Sequence, residues 1–281
     1  MKVSYYPGCS LLGTAKEYDQ STRAVCSALG VELEELEDWN CCGATSAHST
    51  NDFLSLALPA RDLSLADKKG QDLIVPCAAC FQRLKVAEKK LLEKPLPDFP
   101  YEGKAKVRHL LDLCSEEEVS QQIEVKMKKP LSGLRVACYY GCLVVRPPKI
   151  TGAADYEDPQ NMDKLMKQLG AQPVDWSYKT DCCGGSLVLT RPDVIQRLIQ
   201  KILDMALEAG AECLAVCCPM CHSNLDMYQG RLSKESGKDY QVPILYFTEL
   251  LGLALGLPGV EGWLKRHLVS PLELLKAKGL L

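Results

Sequence analysis

The sequence predicts an α/β protein made of two tandem, structurally similar cysteine-rich domains, each a small, mostly parallel sheet flanked by helices. Three observations carry this expectation. Short apolar runs alternate with helical stretches along the 281 residues, the order that builds parallel sheets. The whole series of elements starts again at Leu134. One cysteine signature occurs twice with the same order of parts. The length suits two domains of ordinary size, divided at 1–130 and 131–281.

In the first half, Lys2 to Tyr6 reads as a strand ending at Pro7-Gly8-Cys9. A helix follows from Ala15 to Leu29, stopped by Gly30. The acidic segment Glu32 to Asp38 leads to Asn40-Cys41-Cys42-Gly43. Asn51 or Asp52 caps a helix running to Lys69 and closed by Gly70. Asp72 to Pro76 is a short strand that opens into Cys77-Ala78-Ala79-Cys80, and a charged amphipathic helix continues to Glu93. Val107 to Leu113 is a further strand-to-helix passage. Between the halves lie a proline-rich loop (Lys94 to Pro100), a highly charged stretch (Glu116 to Lys129) and a junction at Pro130 to Gly133.

The second half repeats this course. Arg135 to Tyr140 is the strand that ends at Gly141-Cys142. A helix beginning near Pro159 closes at Leu169-Gly170. Asp181-Cys182-Cys183-Gly184-Gly185 comes next, then a helix from Asp193 to Ala209. Cys213 to Val216 is the strand before Cys218-Pro219-Met220-Cys221, and Ile244 to Leu255 ends the repeat. Cys42 precedes Cys77 by 35 positions, and Cys183 precedes Cys218 by 35. Cys9, Cys77, Cys142 and Cys218 all fall just past strand ends, where ligands collect in such sheets.

Composition limits the functions that fit. The chain is 47% hydrophobic and 25% charged, with a formal net charge of −3. It has no basic stripe, so nucleic acid is not an expected partner. The most apolar run, Ile244 to Leu257, is too short to cross a bilayer and contains Glu249. With no apolar signal-peptide core after Met1, the expectation is a cytoplasmic protein without direct membrane insertion. Fifteen cysteines in that setting point to metal or redox chemistry rather than a disulfide scaffold.

Adjacent cysteines on a strand point to opposite faces. Both thiols of Cys182-Cys183 serve one object only if the backbone turns, which Gly184 and Gly185 permit. Each half offers five such thiols: Cys9, Cys41, Cys42, Cys77 and Cys80, then Cys142, Cys182, Cys183, Cys218 and Cys221. A structural zinc ion takes four ligands, so five exceed its need, and zinc in one domain is the minor alternative. The cysteine run of an ordinary ferredoxin is absent. An iron–sulfur cluster with an extra thiolate accounts for the count most simply.

The doubled pattern of a lone cysteine, a Cys-Cys-Gly and a Cys-x-x-Cys resembles the cysteine-rich (CCG) domains of the HdrB subunit of heterodisulfide reductase. The resemblance covers nearly the whole chain, from Tyr5-Tyr6-Pro7-Gly8-Cys9 to Cys218-Pro219-Met220-Cys221. Cys138-Tyr139-Tyr140-Gly141-Cys142-Leu143-Val144-Val145-Arg146-Pro147-Pro148 is similar to the second-domain signature of HdrB. The resemblance implies two noncubane [4Fe-4S] clusters, each bound by one set of five cysteines. It also implies reduction of a disulfide to two thiols, such as that of coenzyme M and coenzyme B in methanogenesis. Electrons would come through a ferredoxin-like partner (HdrC) from a flavin-containing partner (HdrA). A partner is needed because the chain has no ferredoxin run, dinucleotide fingerprint or flavin signature.

Other residues are weaker candidates. Arg146, with Lys149 close by, is placed to bind an acidic substrate group; His48 and His222 are placed to donate a proton to a thiolate product. Each has an ordinary structural reading as a surface charge or a hydrogen-bonding group. His109 and His267 lie away from the motifs and read as structural. Cys26 and Cys213 read as buried filling, and Cys114 also falls outside the doubled pattern. Cys138 and Cys217 are neighbours of the sets rather than members. Arg83, Lys85, Lys89 and Lys90 are expected on a solvated face that would also suit an acidic partner. Three rival functions remain. One is a role as a related CCG protein in lactate or glycolate oxidation or in thiol-dependent fumarate reduction, and the intact ten-cysteine set argues against it. The others are a zinc-binding structural protein and a non-catalytic electron-transfer subunit.

Overall fold

The computed structural model describes residues 1–44 and 46–281. Two four-stranded sheets, wholly parallel, are built from eight strands: β1 (Lys2–Tyr5), β2 (Glu32–Glu35), β3 (Leu73–Val75), β4 (Val107–His109), β5 (Arg135–Tyr139), β6 (Gln172–Pro173), β7 (Cys213–Val216) and β8 (Ile244–Tyr246). The strand orders are β2-β1-β3-β4 and β6-β5-β7-β8, so the second sheet repeats the topology of the first. The central strands β1, β3, β5 and β7 are buried along their whole length apart from Lys2 and Arg135 at the starts of β1 and β5, as expected of parallel strands covered on both faces.

The helices are α1 (Gly8–Leu12), α2 (Lys16–Ala28), α3 (Ala47–Thr50), α4 (Asp52–Lys69), α5 (Ala78–Glu93), α6 (Leu110–Cys114), α7 (Glu117–Lys126), α8 (Pro148–Thr151), α9 (Asn161–Gln168), α10 (Pro192–Glu208), α11 (Pro219–Met227), α12 (Gln229–Ser236), α13 (Phe247–Ala254), α14 (Val260–Leu264) and α15 (Leu272–Ala277). The ends of α4 follow the expected chemistry. Asn51 accepts a hydrogen bond from the Leu54 N–H at 2.9 Å, and Gly70 closes the helix at φ 64°. Among the described residues no helix is long and apolar enough to cross a membrane.

Two features of the helical layer differ from what the sequence suggests. The charged stretch before the junction contains a regular helix, α7, held by buried Val119 and Ile123 one turn apart. Arg83 and Lys85 are half-buried rather than on a solvated face, because α5 packs against α8 and Lys85 is paired with Glu88. Only Lys89 and Lys90 of that group are exposed.

The halves are joined closely. α2 packs against α13 and α14, α6 against α9, and α1 against α11. At the centre of this seam Tyr18 stacks on Tyr246, with ring centroids 4.1 Å apart and planes 5° from parallel. The Tyr18 hydroxyl bonds the carbonyls of Pro76 and Cys217, the residues just before Cys77 and Cys218. Ser21 and Thr248 share a buried 2.7 Å hydrogen bond across the same seam.

Candidate metal centre

Each sheet reverses its direction of growth between its two central strands, β1 and β3 or β5 and β7. Ligands bind beyond the carboxyl ends of strands at such a switch point. Cys9 and Cys77 follow β1 and β3 there, and Cys142 and Cys218 follow β5 and β7. The Cys-Cys turns close over the same rim. Tyr6 donates to the Asn40 carbonyl at 2.7 Å and Tyr139 to the Asp181 carbonyl at 2.7 Å, so one tyrosine in each half anchors the residue before each pair. Gly43 and Gly184 then turn at φ 72° and 84°.

The expected sets do come together. Cys41 Sγ lies 3.7 Å from Cys9 Sγ, and Cys42 Sγ lies 3.3 Å from Cys80 Sγ. In the second half Cys183 Sγ is 3.5 Å from Cys221 Sγ, and Cys142 lies beside Cys182. Cys77 lies against both Cys80 and, across the seam, Cys218. The two sets are therefore one contiguous patch of sulfur. Ala78 of the first half lines the small apolar cavity enclosed by the second set. Cys9, Cys41 and Cys182 are exposed, Cys142 is half-buried, and the other six are buried, so each set is open on one side.

Charge within the sets is shared. Hydrogen bonds from Cys42 and Cys9 pull Cys41 down to about 2. The bond from Cys142 lowers Cys182 to about 6, and those from Cys221 and Cys77 pull Cys218 well below the usual thiol range. Cys9, Cys142, Cys77, Cys80 and Cys221 are pushed up by their contacts with neighbouring thiols and by burial, and Cys42 rises to about 12. Thiols this crowded ionise together only around added positive charge. Five soft donors and no imidazole or carboxylate in either set is the chemistry of an iron–sulfur or thiolate–zinc centre. The backbone fits a group at this point. A side chain at Gly8 would meet Cys80 Sγ at 3.0 Å, and one at Gly141 would meet Cys221 Sγ at 2.9 Å.

Matches to known proteins agree with this geometry. The family model described as "CCG: Cysteine-rich domain" matches residues 3–85 and 136–226, one match on each half. The chain belongs to the CCG cysteine-rich domain family. A relative in Wolinella succinogenes, an 8-methylmenaquinol:fumarate reductase membrane anchor subunit, is 31% identical over 97% of this chain and 99% of its own length. The HdrB subunit of a ferredoxin:CoB-CoM heterodisulfide reductase from Methanosarcina mazei is 28% identical over 98% of this chain and 96% of its own. A solved Helicobacter pylori structure described as hypothetical has the same fold, with a TM-score of 0.74 at 12% identity. It covers 96% of this chain, which spans 52% of that one. The chain is thus a homologue of HdrB, with an equally extensive likeness to a fumarate reductase subunit.

The remaining candidates are distributed unevenly. Arg146 is exposed and donates to Thr180 Oγ1 at 2.9 Å, tying the Cys142 loop to the Cys182 loop. Lys149 is exposed, and its carbonyl accepts from Lys89 Nζ at 3.5 Å. His48 is exposed on α3, just beyond the first Cys-Cys turn. His222 is buried and stacks on Tyr246 at 4.4 Å. His109 is structural, as expected: its ring faces the Pro76 carbonyl at 2.9 Å and accepts from the Leu111 N–H. His267 is not remote from the motifs. The fold brings it to 2.8 Å from His222, and no periodicity or spacing in the sequence signals that contact. Cys26, Cys114, Cys138, Cys213 and Cys217 are all buried apart from the two sets, and Cys217 Sγ donates to the Tyr140 carbonyl at 3.7 Å.

Proposed function

We propose that this CCG protein is the disulfide-reducing subunit of a heterodisulfide reductase-type complex. In this reading residues 1–130 and 131–281 each hold one noncubane [4Fe-4S] cluster. Cys9, Cys41, Cys42, Cys77 and Cys80 would bind the first; Cys142, Cys182, Cys183, Cys218 and Cys221 would bind the second. The observation that carries the reading is the Cys77–Cys218 contact, which joins the sets across the seam. When bound, iron–sulfur clusters supply electrons one at a time. Cleaving a disulfide consumes two, and two centres this close answer that need.

The chain's own groups supply position and charge. A cavity of about 550 Å³ runs beside both sets, lined by Ser10, which follows Cys9, and by Gly185 and Met220 of the second half. Arg266 and the buried Glu17 and His222 give it polar walls, and Val188, Leu189 and Met227 apolar ones. That mixture suits a small thiol coenzyme with an apolar chain and an anionic end. In the free chain Arg146 braces two ligand loops; its charge beside Cys142 would also attract an acidic substrate group. His48 is the proposed proton donor; His222 is buried and held neutral, with its Nε2 against His267, which leaves it out of that role. Electrons would come from a ferredoxin-like partner, itself fed by a flavin-containing one. Leu12, Phe53 and Leu189 project into solvent beside the ligand loops, where such a partner would dock.

The test is single-turnover reduction. Protein purified without oxygen, reduced and then mixed with a mixed coenzyme disulfide should release two thiols per two electrons consumed. Its paramagnetic signal should change on adding either thiol. No thiol release and no spectral response would overturn the reading. A second reading is supported by the full-length likeness to the fumarate reductase subunit: the centres would pass electrons from a quinol. It predicts reduction by a menaquinol and indifference to thiols.

A further inference from the structure

Behind the second cysteine set lies a different group of metal-binding side chains, with nitrogen and oxygen donors only. His222 Nε2 is 2.8 Å from His267 Nδ1. A carboxylate oxygen of Asp226 lies within 4.8 Å of the donor nitrogens, and all three residues are buried. His222 and Asp226 sit one turn apart on α11 and so share a face. His267 comes from the segment after α14.

The far sides of these groups are already engaged. Glu249 Oε1 accepts from His267 Nε2 at 3.0 Å, and the Ile244 backbone lies beside His222. A neutral imidazole has one N–H. In the tautomers whose N–H groups turn outward, toward Glu249 and the Ile244 backbone, the two facing nitrogens present lone pairs to each other at hydrogen-bond distance. A ring proton on either facing nitrogen, or a metal ion between the two, would satisfy that pair.

The surroundings favour the ion. Backbone N–H groups of Leu268 and Val269 aim the Asp226 carboxylate, at 2.8 and 3.0 Å, leaving further lone pairs on its oxygens. Glu249 and Glu17 add negative charge around His267. A carboxylate on one ligating histidine and a carbonyl on the other are the usual outer partners of such ligands. The 550 Å³ cavity, whose wall includes His222, Asp226, Glu17 and Arg266, provides an entry path.

We propose that His222, His267 and Asp226 hold one divalent first-row metal ion, zinc or ferrous iron, with an open position toward the cavity. Sets of two histidines and one carboxylate leave room for water or a substrate group on the metal. The ion would fasten the His267–Val269 segment to α11, whose first turn carries Cys221. No cysteine contributes, so the site stands or falls independently of the iron–sulfur reading.

The experiment uses the full chain, purified without oxygen, dialysed against zinc and then against buffer. Zinc, iron and acid-labile sulfide are counted, and zinc-edge X-ray absorption reads the neighbours. The expected result is about one retained zinc per chain, with nitrogen and oxygen at roughly 2.0–2.1 Å. His267→Gln and Asp226→Asn should lose that zinc while keeping the parent's iron and sulfide, which also shows that they fold. A parent that retains no zinc would overturn the proposal. So would sulfur neighbours at about 2.3 Å, or zinc kept by both variants.

Discussion

Gly43 and Gly184 carry the two Cys-Cys turns at positive φ, and neither has room for a side chain. An added Cβ would meet Ala47 at 2.7 Å in the first case and Ile195 at 2.6 Å in the second. Gly184→Ala should cost about 2–4 kcal/mol, from left-handed backbone and overpacking together, and should remove the iron of the second set alone. Gly30 is a control, since it is also left-handed but has open space around it. Its alanine variant should cost only about 1–2 kcal/mol and keep all the iron; denaturant unfolding with iron analysis reads both. Asp62 makes a prediction about pH. Burial raises its carboxyl to about 7 even though it accepts the Asn40 N–H, next to Cys41. A raised carboxyl favours the fold below its unfolded value, and that stability is lost as pH rises through about 7. The loss is at most about 4 kcal/mol. Comparing the unfolding of the parent and Asp62→Asn at pH 5 and pH 8 should show a smaller pH dependence in the variant.

The long, capped or fully apolar elements were legible in the sequence. α4 announced both its ends through Asn51 and Gly70, and β7 read directly from Cys213 to Val216. The edge strands β2 and β6 did not show, unlike β4, which lies within the Val107 to Leu113 passage. β2 is Glu-Leu-Glu-Glu, against strand propensity, and is held by parallel pairing with β1 and by Lys2 beside Glu32 and Glu34. β6 is two residues long and ends in Pro173, which only an edge position tolerates. The ten cysteines were visible because they recur in order. The Tyr18–Tyr246–His222 column and its link to His267 were not, since those contacts join residues far apart in the chain with no repeated spacing. Tyr18 yields a test at this scale. Tyr18→Phe keeps the stack and loses the bonds to Pro76 and Cys217, for about 1 kcal/mol. Tyr18→Ala should cost about 3–5 kcal/mol and loosen the seam, read by denaturant unfolding.

Across the whole molecule, duplication explains the arrangement. Two sheets of one topology meet so that their switch points lie side by side, and the cysteine after β3 touches the cysteine after β7. Neither half alone places two cysteine sets together; the seam of α2, α13 and the stacked tyrosines does so. The same packing fixes the cavity against Ser10 on one side and Gly185 on the other. The most direct test of adjacent paired centres is electron paramagnetic resonance of the fully reduced chain, purified without oxygen, with iron and sulfide counted on the same sample. The account predicts about four irons per set and signals broadened or split by coupling between neighbouring centres. Two sharp, independent signals, or zinc without acid-labile sulfide, would contradict it.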